Sequence, residues 1–464
     1  MNKMYRFLSC LFISFSISST LYGQVPVNSA LATTLQGKID DFVIQNNLPG
    51  ISVSMLLPGN QYWNGASGLS DIYSLDPMDT NYLFHLCSMN KMYVSAMIFQ
   101  LKEQGLLSLS DTIGMYVPAT ANIPSSTTIA NLLKHRTGIA DVTDYPGVAN
   151  IWYGYPDSIW SHLQTIQTLV GQPIFAQGTN FDYSNTNYIL LGMVIEQITG
   201  NTFAHELHQR FLSPLNLSHS FFRPQDSLAA ILTPGWTSFS SPNVYNTDAS
   251  PVINDCSASM LFTAGSMFAT PSDVCRFTRE LWSGNIISTG SLDTMKQCTN
   301  VNFGGGCDGY GYGTMRYQFN GKTYYGHAGD FFGFTQLTIH QQEDSVTLTL
   351  SVNRNGAPRG PMAQELLALI DQVLSVPTLS SLENSISIYP NPATSFFKIE
   401  DKEISNTEFS VLITDYSGRV LPFQSSQSDE GILSIDVRGF KTGVYTINVQ
   451  AKNAMYAKKL VVIH

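Results

Sequence analysis

Apolar and polar positions change period several times along the chain. Ile51-Ser-Val-Ser-Met-Leu56 alternates at period two, Pro58-Gly59-Asn60 reads as a turn, and Gln61-Tyr62-Trp63 begins a return strand, which together predict a hairpin. A second hairpin is predicted far along the chain, from Thr335–His340 and Val346–Val352 around Gln341-Gln-Glu-Asp344. Helical spacing appears in Val94, Met97, Ile98 and Leu101, again from about Tyr188 to Ile198 before Thr199-Gly200, and over about 361–374 through Met362, Leu366, Leu367, Ile370 and Val373. Strands at both ends of this stretch with helices between them predict an α/β body whose antiparallel sheet is assembled from its two termini and covered by helices.

The two ends of the chain read differently. Lys3 and Arg6 precede an apolar run from Phe7 to about Ile17 and small or polar residues up to Tyr22-Gly23-Gln24, the pattern of a secretory signal peptide over residues 1–23. Serines interrupt the run, which argues against a transmembrane anchor. Cys10 precedes most of the apolar core, out of place for lipidation. The body then covers 24–375. Residues 376–386 lack strand or helix periodicity and read as a linker, and 387–464 carry short alternating segments: Phe409–Thr414, a turn at Asp415-Tyr-Ser-Gly418, Gly443–Val449 and Lys459–Ile463. They predict a small β-sandwich, which by itself also fits a carbohydrate-binding module.

Composition narrows the function classes. Hydrophobic residues at 43 % and aromatics at 11 % can form a large core, which excludes a disordered chain. With 24 Lys+Arg against 34 Asp+Glu, a net charge of −10 and no basic cluster, nucleic acid is excluded as a partner. Beyond Cys10, the five cysteines Cys87, Cys256, Cys275, Cys298 and Cys307 are an odd number for an oxidising compartment; Cys87 is expected to be free, and Cys298 with Cys307 could close the Gly-rich turn between them. His205 and His208 stand three apart, not the four of HExxH, and read as a helix-surface pair; no metal site is expected.

Three short motifs carry candidate chemistry. In Leu86-Cys-Ser88-Met-Asn-Lys91, a separation of three puts Ser88 and Lys91 on one helical face, where a lysine of lowered pKa can take the serine proton and the helix N-terminus favours a developing oxyanion. Alone, the pattern fits equally an N-cap followed by an exposed lysine. Tyr183-Ser-Asn185, ahead of a helix, offers a proton relay and a donor, or simply a capped turn. In His327-Ala-Gly329-Asp330, Gly329 would let a substrate backbone approach and His327 would point into a cleft from the sheet edge; a lone strand histidine can also be structural. Trp152, Tyr153 and Tyr155 are too irregular for a helix stripe and fit either a cleft wall or a loop packed on the core. Gly304–Gly313 is a candidate for another cleft edge.

SxxK, YxN and HxG in this order resemble the serine β-lactamase, penicillin-binding protein and esterase superfamily in its class C-like branch. Gln104–Asp111 with Tyr116-Val-Pro118, Leu132–Ile139, and Ala264-Gly265 through Asp273 extend the likeness over most of residues 40–375. The resemblance implies an antiparallel sheet flanked by helices plus an all-helical part, and an acyl-enzyme mechanism without metal or organic cofactor. Ser88 would attack a carbonyl, Lys91 and Tyr183 shuttle its proton, Asn185, His327 and Gly329 line the substrate site, and the backbone N–H groups of Ser88 and Asp330 form the oxyanion hole. Histidine at 327 and alanine at 328, where β-lactamases carry lysine and threonine, weaken a carboxylate site, as does the Asp330 charge if it faces inward. The expectation is therefore an ester or a D-amino-acid amide or peptide substrate, with β-lactamase, D-Ala-D-Ala carboxypeptidase or a catalytically silent binding protein as alternatives. In the tail, Tyr389-Pro-Asn-Pro-Ala-Thr394, Gly418-Arg419, Gly443-Val-Tyr-Thr-Ile447 and Lys458-Lys459 resemble the C-terminal sorting domain of the type IX secretion system. That likeness implies the type IX machinery as a partner and a secreted or surface location.

Overall fold

The computed structural model describes residues 24–238, 244–375, 386–401, 409–415, 420–427, 432–451 and 454–464. The expected signal peptide with Cys10, the linker apart from Ile386, and most of the turn at 415–418 lie outside them. Chain contacts separate two units, up to Leu367 and from Ala368 onward.

The elements that organise the first unit are α1 (Ser29–Gln45), β1 (Gly50–Leu57), β2 (Gln61–Asp71), α2 (Asn90–Glu103), α3 (Asn185–Thr199), α4 (Pro271–Trp282), β3 (Thr299–Gly304), β4 (Cys307–Tyr310), β5 (Met315–Phe319), β6 (Lys322–Phe331), β7 (Phe334–Gln341), β8 (Val346–Val352) and the first half of α5 (Arg359–Ser375), which continues past Leu367. The two predicted hairpins are β1–β2 and β7–β8, and they meet where β8 pairs antiparallel with β1, Val352 opposite Ile51. The sheet order is β2-β1-β8-β7-β6-β5-β4-β3, all antiparallel, with Val25–Pro26 and Asp76–Pro77 added against β2.

The period-two pattern of β1 predicts one wet face, yet every residue of β1, β7 and β8 is buried. α1 packs against β1 and β2 while α4 packs on β1, β7 and β8. Part of the polar set lies beneath α4 and is bonded by α4 or across the sheet: Thr278 and Thr338 share a hydroxyl bond of 2.9 Å, Thr338 and Thr349 one of 2.7 Å, and Arg279 Nε donates to Thr347 at 2.8 Å, whereas the Ser52 and Ser351 hydroxyls have no partner among the described residues. Alternation here separates hydroxyl-bearing from purely apolar packing rather than solvent from core.

α2 is buried on nearly all sides, including Asn90, Lys91 and Ser95, because α3, the turn at Phe262–Ala264 and β6 surround it. α3 begins three residues earlier than its periodicity predicts, since Asn185 itself occupies the first helical position after Ser184, and it ends at Gly200 in the left-handed region (φ 71°). Trp152 and Tyr153 belong to a helix, Val148–Gly154, contrary to the irregular reading of that stretch.

The second unit holds two four-stranded antiparallel sheets. One is ordered Ile386–Tyr389, Phe396–Asp401, Leu433–Asp436, Gln424–Gln427; the other Val420–Leu421, Phe409–Thr414, Gly443–Ala451, Ala454–Val462. Phe397, Ile399, Ile413, Ile435, Ile447, Val449, Leu460 and Val462 form its buried core, the arrangement of the expected sandwich. Among the described residues no helix is long and apolar enough to cross a membrane.

Candidate active site

The segment that carries Ser88 is a tight turn. Cys87 is held at φ 52°, a left-handed conformation unusual for a residue with a side chain, and Cys87–Met89 form a 3₁₀ turn leading into α2. β6 presses against this turn at Gly329: a Cβ there would lie 2.5 Å from Leu86 O, 2.8 Å from Cys87 Cβ and 3.2 Å from Ser88 N. The missing side chain at 329 therefore admits the Ser88 turn. The same approach brings the Gly329–Asp330 peptide beside Ser88 N.

Lys91 lies one helical turn after Ser88 and is fully buried. Its Nζ donates to Ser88 Oγ at 3.0 Å, to Asn185 Oδ1 at 2.8 Å and to Ala264 O at 2.8 Å, and it sits 4.9 Å from the centroid of the Tyr183 ring. Burial lowers its pKa from the ordinary 10.5 to about 7, although Asp141 and then Cys87 pull in the opposite direction. Asn185 is fixed by Asp141, whose Oδ2 accepts both its backbone N–H and its Nδ2 at 2.9 Å. The Tyr183 hydroxyl is enclosed, and burial raises its pKa well above 10. Ser88 is near enough to offset part of that shift, but no bond with hydrogen-bond geometry joins the two.

His327 departs from expectation. Its side chain is fully buried, with Nδ1 2.6 Å from Ala328 O and Nε2 3.1 Å from the Tyr310 hydroxyl, and burial holds its pKa down to about 3. It is not among the residues that line the cleft, so it does not point into it as the sequence suggested. Asp330 does line the cleft, but its carboxylate is held by Arg359 Nη1, at 2.5 Å to each oxygen. The charge expected beside Ser88 N is therefore paired.

Ser88 and Asn185 open into a cavity of about 450 Å³. Its walls are mostly apolar, from Val148, Trp152, Leu261, Phe331 and Phe332, with Tyr145, Thr143, His85 and Asp330 as polar exceptions. Trp152 is buried in this wall 5.6 Å from Phe331, whereas Tyr153 and Tyr155 face solvent. No residue of Gly304–Gly313 lines it. The Cys87 thiol borders the cavity 3.2 Å from His85 Nδ1, its pKa raised by burial. All five described cysteines are free thiols, so the Cys298–Cys307 closure is not formed.

With this geometry established, the chain matches the family described as Beta-lactamase over residues 35–372. The chain belongs to the β-lactamase family. Its tail matches the secretion system C-terminal sorting domain over residues 387–463, which indicates export and a surface or secreted location. Penicillin-binding protein 4 of Amycolatopsis lactamdurans is 26 % identical over 325 residues, spanning 66 % of this chain and 81 % of that protein. Among solved structures, the D-amino acid amidase of Ochrobactrum anthropi SV3 in complex with L-phenylalanine amide superposes with a TM-score of 0.65 at 22 % identity, covering 74 % of this chain and all of that one. The D-stereospecific amidohydrolase of a Streptomyces species gives 0.63 at 22 % identity, covering 73 % and 97 %. These superpositions establish the β-lactamase fold for the body, membership makes it a hydrolase of that fold, and export follows from the tail match.

Sequence reasoning left out four residues: Asp141, His135, Tyr310 and Arg359. His135 falls in the Leu132–Ile139 stretch that supported the resemblance and Tyr310 in the Gly304–Gly313 stretch considered as a cleft edge; Asp141 and Arg359 carry no local signal and reach the site only through folding.

Proposed function

We propose that this protein is an exported serine hydrolase that forms an acyl-enzyme on Ser88 and cleaves an ester or a D-amino-acid amide or peptide bond. The observation that carries the reading is the buried Lys91 amine, with a pKa of about 7, 3.0 Å from the Oγ of Ser88, which lines the cavity. In its neutral form the amine has two hydrogens for Asn185 Oδ1 and Ala264 O and one lone pair left for the Ser88 hydroxyl. Lys91 then takes the proton as Ser88 Oγ bonds to the carbonyl carbon, and the charge formed on the carbonyl oxygen is met by the Ser88 and Asp330 N–H groups. Tyr183 passes the proton to the leaving group, Asn185 orients the acyl part, and water, deprotonated along the same route, releases the acid and restores Ser88.

The cavity supports an uncharged, apolar acyl or leaving group. Among the described residues that line it none is a cation: His85 is neutral, its pKa lowered to about 3 by burial, and Arg359 spends its charge on Asp330. A substrate carboxylate beside the scissile bond, as in a cephalosporin or a D-Ala-D-Ala terminus, would lack a partner and face Asp330. Turnover of short acyl esters, D-amino-acid amides, D-Ala-D-Ala peptides and a chromogenic cephalosporin by wild type and Ser88→Ala tests the proposal. Expected is hydrolysis of esters or amides that disappears in Ser88→Ala. Hydrolysis of the cephalosporin alone would refute the substrate preference, and a wild type that takes up no serine-directed probe would revive the silent binding protein.

A further inference from the structure

Behind the three motifs, two buried histidines on different elements are joined by one tyrosine. His135 Nε2 is 3.0 Å from the Tyr310 hydroxyl, and that hydroxyl is 3.1 Å from His327 Nε2. The direction of each bond follows from the outer ends. Backbone N–H of Ser184 donates to His135 Nδ1 at 3.1 Å, and Asn187 Nδ2 lies 3.2 Å from the same nitrogen, so Nδ1 must present a lone pair. In a neutral ring the proton is then on Nε2 and is donated to Tyr310. At the other end, His327 Nδ1 faces Ala328 O at 2.6 Å and must carry a proton there, which leaves Nε2 as the acceptor of the Tyr310 proton. Each N–H and O–H along the chain from Ser184 to Ala328 thereby has an acceptor; His135 Nδ1 meets two donors, and the Tyr310 hydroxyl also interacts with that of Tyr188. Both rings are buried with the Lys91 charge nearby, which keeps them neutral.

The chain ends against the proposed proton shuttle. The His135 ring stacks on the Tyr183 ring at 4.2 Å with an interplanar angle of 29°. His135 also receives the backbone on both sides of Tyr183, Asp182 N at its carbonyl (3.0 Å) and Ser184 N at its ring. Tyr310 sits edge-on to both histidines and to Tyr183, with centroids 4.8, 5.6 and 5.9 Å away.

We infer that Tyr310 is a positioning residue for the reaction: by accepting from His135 and donating to His327 it fixes both rings in opposite neutral tautomers, and the stacked His135 ring thereby holds Tyr183 over Lys91. The inference rests on the hydrolase reading above. Removing only the hydroxyl leaves a proton on His135 and a lone pair on His327 without partners inside the protein, so His135 can rotate and Tyr183 loses its platform. Substrate contacts in the cavity are untouched, so kcat should change and KM should not.

The test compares Tyr310→Phe, Tyr183→Phe and the double variant on the best ester or amide substrate. Expected is a drop in kcat of about tenfold or more for Tyr310→Phe with KM within about twofold, and no additional drop when it is combined with Tyr183→Phe. A kcat within about twofold of wild type, or a drop that multiplies fully with that of Tyr183→Phe, would overturn it. Nitrogen NMR of histidine-labelled wild type is independent of any variant: His135 is expected as the Nε2–H form and His327 as the Nδ1–H form, unchanged between about pH 5 and 9. Finding either opposite tautomer, or titration of either ring in that range, also overturns it. Loss of activity in Ser88→Ala separates the two ideas, since an active Ser88→Ala would remove the hydrolase reading itself.

Discussion

Lys91 illustrates how much of the chemistry resides in single residues. An ammonium with three oxygens around it would be stable, but full burial sets its pKa near 7, so the neutral amine is available at physiological pH. Because the lowered pKa favours the unprotonated form, kcat/KM for an uncharged substrate should rise through about pH 7 and level off above it; a profile flat from pH 5 to 9 would exclude Lys91 as the base. The same sign holds for stability, which should increase as pH climbs from about 7 towards the ordinary lysine value of 10.5, where only the unfolded chain still binds the proton. Asp141 is the second decisive residue. Asp141→Ala removes the acceptor of two Asn185 bonds, and should lower the melting temperature by an amount equivalent to about 1–3 kcal/mol while reducing kcat/KM, measured by thermal unfolding and turnover. Ser88, Lys91 and Asn185 were legible as candidates because their motifs are local. Asp141 was not, since an aspartate 44 positions before Asn185 signals nothing until α3 is docked.

At the scale of elements, the site depends on how closely β6 approaches the turn that carries Ser88. Gly329→Ala would place a methyl within 2.8 Å of Leu86 O and Cys87 Cβ, and the strand and the turn would have to separate. A destabilisation of about 1–3 kcal/mol by denaturant titration is expected, together with loss of turnover, because Asp330 N moves away from Ser88 N. An alanine variant as stable and active as wild type would show that the contact can relax. The hairpins were readable because β1–β2 and β7–β8 are each contiguous with clear turns. Burial of their polar faces was not, because the helix that covers Ser54, Thr338 and Thr349 is supplied by residues 271–282, remote from every strand it touches. Likewise His327 sits on the expected strand, yet its side chain turns to Tyr310 from β4 instead of the cleft.

For the whole molecule, the body and the sorting domain have separate cores, one built around α2 and α3 and the other from the two small sheets. We expect a chain ending at Ser375 to keep its reaction with a serine-directed probe but to stay in the periplasm of a host that has the type IX machinery; loss of labelling on truncation would make the tail part of the enzyme. The sequence by itself determined what is encoded locally: the hairpins, the helices, the order SxxK, YxN, HxG, and the change of composition that marks the tail. Tertiary structure alone decided which side chains meet. Periodicity records which residues avoid water, and a motif records spacing along one element. Hydrogen-bond partners and pKa values depend on what a remote element brings within about 3 Å and how completely it excludes water. That is why the roles of Asp141, Tyr310 and Arg359 emerged only from the fold, and why only the fold showed His327 bonded to Tyr310 and Gly329 packed on the Ser88 turn.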